Sequence, residues 1–235
     1  MAMVLPSFHA WALPAETPDN TWQLNGPARA IVKVGGTIFI GGDFTELREN
    51  PVGQGGQVID VDNFAALDAA SGTPVPRMFV DPPNFTGDAD VVLSLLAAGG
   101  KLWVGGKFGA VDGATRRNLA ALDLSTLALD PFAPRVSGSV YALASDGTKV
   151  YAGGKFPTVN GQPRGRLAAF SLSGNLNSTW TPSANDRVYD MAVTPDGGAL
   201  FVTGDFKSVA DSSGSTRERN SLASIDTQTG DIDAW

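Results

Sequence analysis

Three segments of this 235-residue chain bring together side chains that could hold a polar ligand. They combine carboxylates, guanidinium groups and amides, which form neutral and charge-assisted hydrogen bonds with sugars and with proteins. An aromatic ring in one segment adds a surface for apolar contact. The candidate binding residues are Glu46, Arg48, Glu49 and Asn50 in the first segment, Asn84 and Phe85 in the second, and Arg217, Glu218 and Arg219 in the third.

The same segments could supply a catalytic pair of carboxylates. Glycoside hydrolysis uses two carboxyl groups that flank the scissile bond. One would be Glu46 or Glu49, and the other would be Asp205 or Glu218. A Ser-His-Asp triad is not expected, because His9 is the single histidine and lies close to the N-terminus. We therefore predict a binding function without catalytic residues, with a glycan-acting hydrolase or lyase as the alternative.

Metal and nucleotide sites have little support among the residues present. The chain has no cysteine and one histidine, which leaves no ligand set for zinc. No glycine-rich phosphate loop precedes a helical pattern. Short acidic pairs offer the oxygen ligands that calcium prefers, but none has the spacing of a full calcium loop. We predict no metal and no cofactor, with calcium as the alternative at Asp60 and Asp62, Asp88 and Asp90, or Asp231 and Asp233.

The overall charge restricts the partners. A formal net charge of -7 disfavours nucleic acid, because phosphate binding needs clustered lysine and arginine. No apolar run reaches the length of a membrane span. Residues 1–14 lack the basic start and uninterrupted apolar core of a signal peptide. A protein or a carbohydrate is the expected partner.

A fourfold repeat predicts the elements that would position these residues. A glycine-aromatic motif returns at a period of roughly 50 residues, which is typical of architectures built from repeated sheets. The glycine pairs indicate positive φ angles or close approach between sheets. The four copies are GGDF at 41–44, GGKF at 105–108, GGKF at 153–156 and TGDF at 203–206.

Around each motif the sequence predicts four short antiparallel strands separated by tight turns. The runs are rich in Val, Leu, Tyr and Trp and are bounded by Gly, Asp and Ser. Four-stranded sheets at this period are the blades of an all-β propeller. The predicted blades are residues 27–82, 90–134, 139–182 and 187–235, after an N-terminal arm at 1–26 that contains a strand like the fourth strand of a blade.

Residues that recur in every unit are interpreted as structural. Phe44, Phe108, Phe156 and Phe206 could form a sugar-stacking stripe, but equivalent rings in each blade favour a core position. Arg116, Arg164 and Arg219 each precede a leucine by three residues, which predicts an ion pair repeated around the ring. Asp190 stands where other units have Ala30, Ser94 and Ala142, which predicts a buried acid paired with Arg187 or with a neighbouring blade.

The long connections should all lie at one end of the blades. Turns between the first and second strands and between the third and fourth are short, so the opposite end carries the insertions at 45–62, 80–90 and 207–221. Loops on a rigid scaffold often carry binding residues. Drift in loop length is the alternative, because insertions cost little stability.

The repeat resembles a known family. The strings GGKFGAVDGATRRNLAALDLSTL at 105–127 and GGKFPTVNGQPRGRLAAFSLSGN at 153–175 are similar to the bacterial delta-sixty repeat. That family forms propellers of unknown function in secreted or cell-surface proteins. The resemblance covers the chain from about Ala28 onward and implies a β-propeller and an extracellular or surface location.

The number of blades in the working assembly stays open at this level. Four units could form a small closed ring, an arc of a longer chain, or one half of an eight-bladed ring made by two copies. Exposed edges on an open arc would favour pairing between copies. We expect a part or a half of a larger propeller.

Overall fold

A computed structural model describes residues 22–49, 55–80, 83–87 and 90–234. The fold is all-β: four repeating units of antiparallel sheets follow one another as the blades of a propeller, as the repeat predicts. Each blade has a large sheet and a smaller one beside it. Among the described residues, no helix is long and apolar enough to cross a membrane.

Blades 1 and 2 share one strand order. Their large sheets are β2–β3–β6 and β8–β9–β12, and their small sheets are β1–β4–β5 and β7–β10–β11. Blade 1 contains β1 (Gln23–Leu24), β2 (Ala28–Val34), β3 (Thr37–Gly42), β4 (Glu46–Arg48), β5 (Val58–Asp60), β6 (Phe64–Asp68) and the helix α1 (Pro76–Val80). Blade 2 contains β7 (Phe85–Thr86), β8 (Val91–Ala98), β9 (Lys101–Lys107), β10 (Ala110–Val111), β11 (Ala114–Thr115) and β12 (Leu119–Asp123).

Blades 3 and 4 repeat this arrangement. Their large sheets are β13–β14–β17 and β19–β20–β23, and their small sheets are β15–β16 and β18–β21–β22. Blade 3 contains β13 (Val140–Ser145), β14 (Lys149–Gly154), β15 (Thr158–Val159), β16 (Gln162–Pro163) and β17 (Leu167–Ser171). Blade 4 contains β18 (Ser183–Ala184), β19 (Val188–Val193), β20 (Ala199–Gly204), β21 (Ser208–Ala210), β22 (Thr216–Glu218) and β23 (Leu222–Asp226).

The predicted fourth strand of each blade is reduced to a single bridge with the third strand. The regular part of each large sheet therefore has three strands, where the sequence predicts four. Pro74 forms one of the bridges, and proline has no N–H to donate to a longer ladder. The bridges are Leu67 with Pro74, Leu122 with Leu129, Phe170 with Leu176, and Ile225 with Ile232.

Most of the N-terminal arm lies outside the described part of the chain, which begins at Trp22. The first described strand, β1, pairs with β4 and so belongs to the small sheet of blade 1. The strand that the sequence predicts in the arm, like the fourth strand of a blade, stays a prediction.

The first glycine of the repeated motif lets neighbouring blades pack closely. The first strands of the large sheets contact each other in order, β2 with β8, β8 with β13, and β13 with β19. A Cβ on Gly105 would lie 2.6 Å from Cγ1 of Val140, and one on Gly153 would lie 2.8 Å from Cγ1 of Val188. Side chains at these glycines would therefore push the next blade away.

Three apolar clusters lie between the blades. The four motif phenylalanines are buried within them. Phe156 is fully buried in a cluster with Val140 and Val159, and Phe108 lies 5.1 Å from the ring of Phe85. The repeated aromatic positions thus hold neighbouring units together and leave no exposed aromatic stripe.

The arc has two end faces within the described chain. No contact between β19 and β2 is comparable to those that join successive blades. We call the side of a blade that looks toward the following blade its forward face and the other side its rear face. The rear face of blade 1 and the forward face of blade 4 are therefore the ends of the arc.

Candidate functional site

The insertions fold as small hairpins at one end of the blades, which we call the loop end. Each connection between the second and third strands of a large sheet forms a hairpin, and the segment entering the blade pairs with it. In blade 3 the entering segment contributes one bridge, between Val136 and Val159. Both insertions at 45–62 and 207–221 lie at this end, although residues 50–54 are outside the described part.

Asparagine side chains fix the entering segments to the hairpins. Oδ1 of Asn25 accepts hydrogen bonds from the backbone N–H groups of Thr45 and Glu46, at 2.8 and 3.0 Å. Asn185 does the same for Lys207 and Ser208, at 2.9 and 3.1 Å. The loop end is therefore a tier of hydrogen-bonded hairpins.

The predicted residues of blade 1 interact with each other. The carboxylate of Glu46 forms an ion pair with the guanidinium group of Arg48. Oε2 of Glu49 accepts a hydrogen bond from the backbone N–H of Gln57 at 3.1 Å. Asn50 lies outside the described residues. This group is anchored locally, and none of its recorded hydrogen bonds or ion pairs reaches the predicted residues of blade 4.

Phe85 is a core residue, so its prediction as a ligand contact is wrong. Its side chain is fully buried, and its ring centroid lies 5.8 Å from that of Phe64. The backbone of Phe85 pairs with Val111 in the small sheet of blade 2. Its neighbour Asn84 is half-buried, and its backbone N–H donates to Asp112 Oδ1 at 2.9 Å.

The repeated arginines bind backbone carbonyl groups, where the sequence predicts ion pairs. Arg116 donates to the carbonyl of Asp130, and Arg164 donates to that of Asn177, both at 2.9 Å. Arg219 donates to the carbonyl of Asp233 at 2.6 Å. Each guanidinium group therefore ties the last segment of its blade to the hairpin. Arg219 belongs to this structural set, while Arg217 and Glu218 are exposed on β22.

A second group of exposed and half-buried side chains arises from a bulge that recurs in all four blades. The first strand of each large sheet has a register shift near its start, after the first residue of β2, β13 and β19 and after the second residue of β8. Bulges re-aim side chains and are common beside functional sites. The bulged residues stand at the loop end of the innermost strands and are Arg29, Leu93, Tyr141 and Tyr189.

Two of these residues form an aromatic pair across blades 3 and 4. The ring centroids of Tyr141 and Tyr189 are 5.6 Å apart, and Tyr189 is 44% exposed. The Tyr189 hydroxyl donates to Asp205 Oδ2 at 2.6 Å and accepts from Arg187 Nη1 at 3.2 Å. The hydrogen bond with Tyr189 raises the pKa of Arg187, which keeps the guanidinium group charged. We call these four residues the rim cluster.

A shallow cavity lies between the hairpins of blades 3 and 4. Its volume is about 250 Å3, and Arg166, Asn185 and Thr216 are among the residues that line it. This is below the range of roughly 300–1,000 Å3 that is usual for pockets enclosing a small molecule. A second open cavity, beside the hairpin of blade 2, has a volume of about 330 Å3, at the lower limit of that range.

Asp190 does not have the buried, paired environment that the sequence predicts. Its side chain is exposed, and Oδ1 accepts a hydrogen bond from the backbone N–H of Met191 at 2.8 Å. Arg187, the predicted partner, contacts Tyr189 and Asp205. The difference arises because Asp190 lies on an end face of the arc, where no following blade covers it.

Among the described residues, no group of three or more His, Cys, Asp and Glu side chains is placed to hold a metal ion.

Several other aspartates close tight turns at the far end of the blades. Asp123 accepts hydrogen bonds from the hydroxyl and N–H groups of Ser125 and Thr126, at 2.6 to 2.9 Å. Asp68 and Asp226 bind the following Ser71 and Thr229 in the same way.

These capped turns predict a loss of stability in acid. The hydrogen bonds, foremost that from the Ser125 hydroxyl, lower the pKa of Asp123 to about 2. A lowered folded-state pKa stabilises the fold above the unfolded value of about 4 and loses that contribution as the pH falls through the folded value. We expect Asp123→Asn to be less stable than wild type at pH 7 in urea denaturation, and the difference to shrink between pH 4 and 2. An unchanged difference at pH 2 would show that ionisation of Asp123 is not the cause.

Comparisons with known proteins give a likeness to a solved structure. No protein-family model matches the chain, and no curated protein matches it. The chain is similar to the crystal structure of the computationally designed Ika4 protein, with a TM-score of 0.47 and 12% sequence identity. That match covers 84% of this chain and 95% of the designed one.

Proposed function

We propose that this chain is a non-catalytic β-propeller module that binds a carbohydrate or a protein through its loop end. The rim cluster carries this proposal. Tyrosine and arginine contribute most to binding energy in recognition surfaces, because they combine large contact area with directed hydrogen bonds. Here the half-buried Tyr141 and the exposed Tyr189 stand on strands, and Arg187 and Asp205 directly flank the strands of blade 4, which lowers the entropy lost on binding.

The predicted residues of the outer hairpins extend this surface. Glu218 and Arg217 are exposed on β22, and Glu46 and Arg48 form their ion pair on β4. We expect these charged groups to form a polar border along the loop end, the usual anatomy of a binding surface. Asn84 lies at the same loop end, beside the hairpin of blade 2, and Asn50 stays a prediction.

Two observations favour binding over catalysis. The carboxylate of Glu46 is engaged in an ion pair with Arg48 on its own strand. Asp205 accepts the Tyr189 hydroxyl and lies on blade 4, whereas Glu46 and Glu49 lie on blade 1. A glycan-acting hydrolase or lyase would need carboxyl groups from both blades within about 5–10 Å of each other.

The resemblance of the repeat to the delta-sixty family supports a bacterial, secreted or cell-surface protein as the setting. The formal net charge of -7 disfavours a nucleic acid as the partner. In that setting the propeller would serve as a rigid scaffold that presents the loop end to a partner. Calcium is not required by this proposal.

Binding is tested first on a glycan array and then by titration calorimetry with the best ligand. We expect Tyr141→Ala to weaken binding at least about tenfold, because truncation of a central aromatic anchor costs about 2 kcal/mol or more. Gln228→Ala, at the opposite end, is the matched control and should bind as wild type. Equal affinity of both variants would refute the rim cluster as the site.

Two outcomes separate the ligand classes and the activities. An array without any hit would exclude glycans of the kinds printed and leave a protein partner, which is then sought with Tyr141→Ala as the negative control. Release of reducing sugar by wild type, abolished in Glu46→Gln or Asp205→Asn, would replace the binding proposal with the hydrolase alternative.

A further inference from the structure

The end faces of the arc expose apolar side chains at positions that the inner blades bury. On the forward face of blade 4, Phe201 is 37% and Leu222 is 41% exposed. On the rear face of blade 1, Ile31 is 70% exposed. In the preceding blades, the residues at the positions of Phe201 and Leu222 are buried. The equivalents of Phe201 are Phe39, Trp103 and Tyr151, and those of Leu222 are Phe64, Leu119 and Leu167.

Side-chain size at the two end faces departs from the repeat in a matched way. At each internal boundary, a glycine on the forward face receives a valine from the rear face of the next blade. At the corresponding positions blade 4 has Thr203 in place of the glycine, and blade 1 has Ala28 in place of the valine. The internal pairs are Gly41 with Val92, Gly105 with Val140, and Gly153 with Val188.

This exchange specifies which surface fits blade 4. The Cβ of a residue in place of Gly153 would already lie 2.8 Å from Cγ1 of Val188, so Thr203 has no room for another valine. An alanine lacks the Cγ1 methyl group that makes the shortest of these valine contacts. Ala28 supplies such a residue, and it lies on the rear face of this same sequence.

Charges at the end faces are complementary as well. The bulged residues of blades 3 and 4, Tyr141 and Tyr189, contact each other across the boundary. Arg29 is the exposed bulged residue of blade 1 and would enter the same row next to Tyr189. Asp190, the exposed carboxylate of the forward face, stands beside that position. Opposite charges at a boundary favour this pairing over one between like faces.

We propose that the forward face of blade 4 binds the rear face of blade 1 of a second copy of this chain. Thr203 packs on Ala28, Phe201 and Leu222 cover Ile31, and Asp190 meets Arg29. A head-to-tail contact of this kind closes when two copies use it twice. The result is a ring of eight blades, within the range of four to eight that propellers adopt. The arrangement also removes both exposed end faces.

Mass measurement and a cysteine pair test the proposal on the 235-residue chain. Light scattering after gel filtration should give twice the 24.4 kDa of one chain at micromolar concentration. The chain has no cysteine of its own, so Ala28→Cys and Thr203→Cys are made in separate preparations and mixed after unfolding and refolding together. Oxidation should then give a covalent dimer, because a disulfide joins residues whose Cβ atoms lie about 4 Å apart. Ala28→Cys mixed with Gln228→Cys is the control and should stay monomeric on a denaturing gel.

A surface variant checks that the interface uses the end faces. Ile31→Glu alters an exposed side chain, so each chain should still fold and give the circular dichroism spectrum of wild type. The mass measured by light scattering should fall to that of a monomer. A further variant carries Ala28→Cys and Thr203→Cys in the same chain. If wild type is a compact monomer at all concentrations, and a disulfide forms within one chain of this double variant, the proposal is overturned in favour of a ring closed by one chain. Assemblies larger than a dimer, or a dimer unaffected by Ile31→Glu, would overturn it too.

Discussion

Replacing Phe156 with alanine is expected to lower the free energy of unfolding by about 3–5 kcal/mol. The ring is fully buried and packs in the cluster that contains Val140 and Val159. Truncation removes the favourable transfer energy of the ring and leaves a cavity. The strands that carry Val140 and Val159 cannot move to fill it, because hydrogen bonds hold them in their sheets. Urea denaturation followed by tryptophan fluorescence measures the change.

Val58→Ala is the matched control for this prediction. Val58 is also an apolar strand residue, but it is 52% exposed in the small sheet of blade 1. Its truncation should change the unfolding free energy by no more than about 0.5 kcal/mol. A similar loss in both variants would mean that general strand propensity, and not burial between blades, accounts for the role of Phe156.

The repeat made the blades and their aromatic core predictable from sequence. A residue type that returns once per unit must occupy the same environment in each unit, so the four phenylalanines could be assigned to the core without coordinates. Phe85 could not be assigned in this way. It stands in a connection unlike the corresponding ones, and nothing in its neighbourhood reveals that it pairs with Val111 and packs on Phe64.

The two tyrosines of the rim cluster were missed for a related reason. The bulges that carry Tyr141 and Tyr189 shift the register by one residue, and the apolar alternation of a short strand does not show such a shift. The signal that could have indicated it is an aromatic residue at the second position of two successive first strands. The hydrogen bonds from Arg164 and its equivalents to backbone carbonyl groups could not be predicted either, because every residue has a carbonyl group and the residue type does not indicate which one accepts.

The two glycines of each motif have different physical roles. The first one faces the next blade in blades 1 to 3, and Thr203 replaces it on the forward face of blade 4, which is an end face of the arc. The second glycine faces the backbone of its own blade. A Cβ on Gly154 would collide with the carbonyl oxygen of Ser139, and the equivalent glycines of the other blades would meet the same backbone position. All four motifs keep a glycine there.

Gly154→Ala is therefore expected to destabilise the chain by about 3 kcal/mol or more, which exceeds the usual cost of an overpacked side chain. Backbone atoms cannot rotate away as a side chain can, so β13 must separate from β14. The hydrogen bond from Lys155 N–H to the Ser139 carbonyl, 2.8 Å long, would be lost with that contact. Urea denaturation and hydrogen exchange of the amides in β13 and β14 measure both effects.

Gly36→Ala provides the comparison that isolates the collision. Gly36 lies in a turn of blade 1 where a Cβ would meet no atom within 4 Å. Alanine there should be neutral or slightly stabilising, because it restricts the unfolded chain. If both variants lose the same stability, flexibility of the unfolded chain and not contact with Ser139 explains the glycine. If Gly154→Ala alone is destabilised, the second glycine is required by backbone approach within each blade, which is the contact that sets the position of the bulge and of the rim tyrosines.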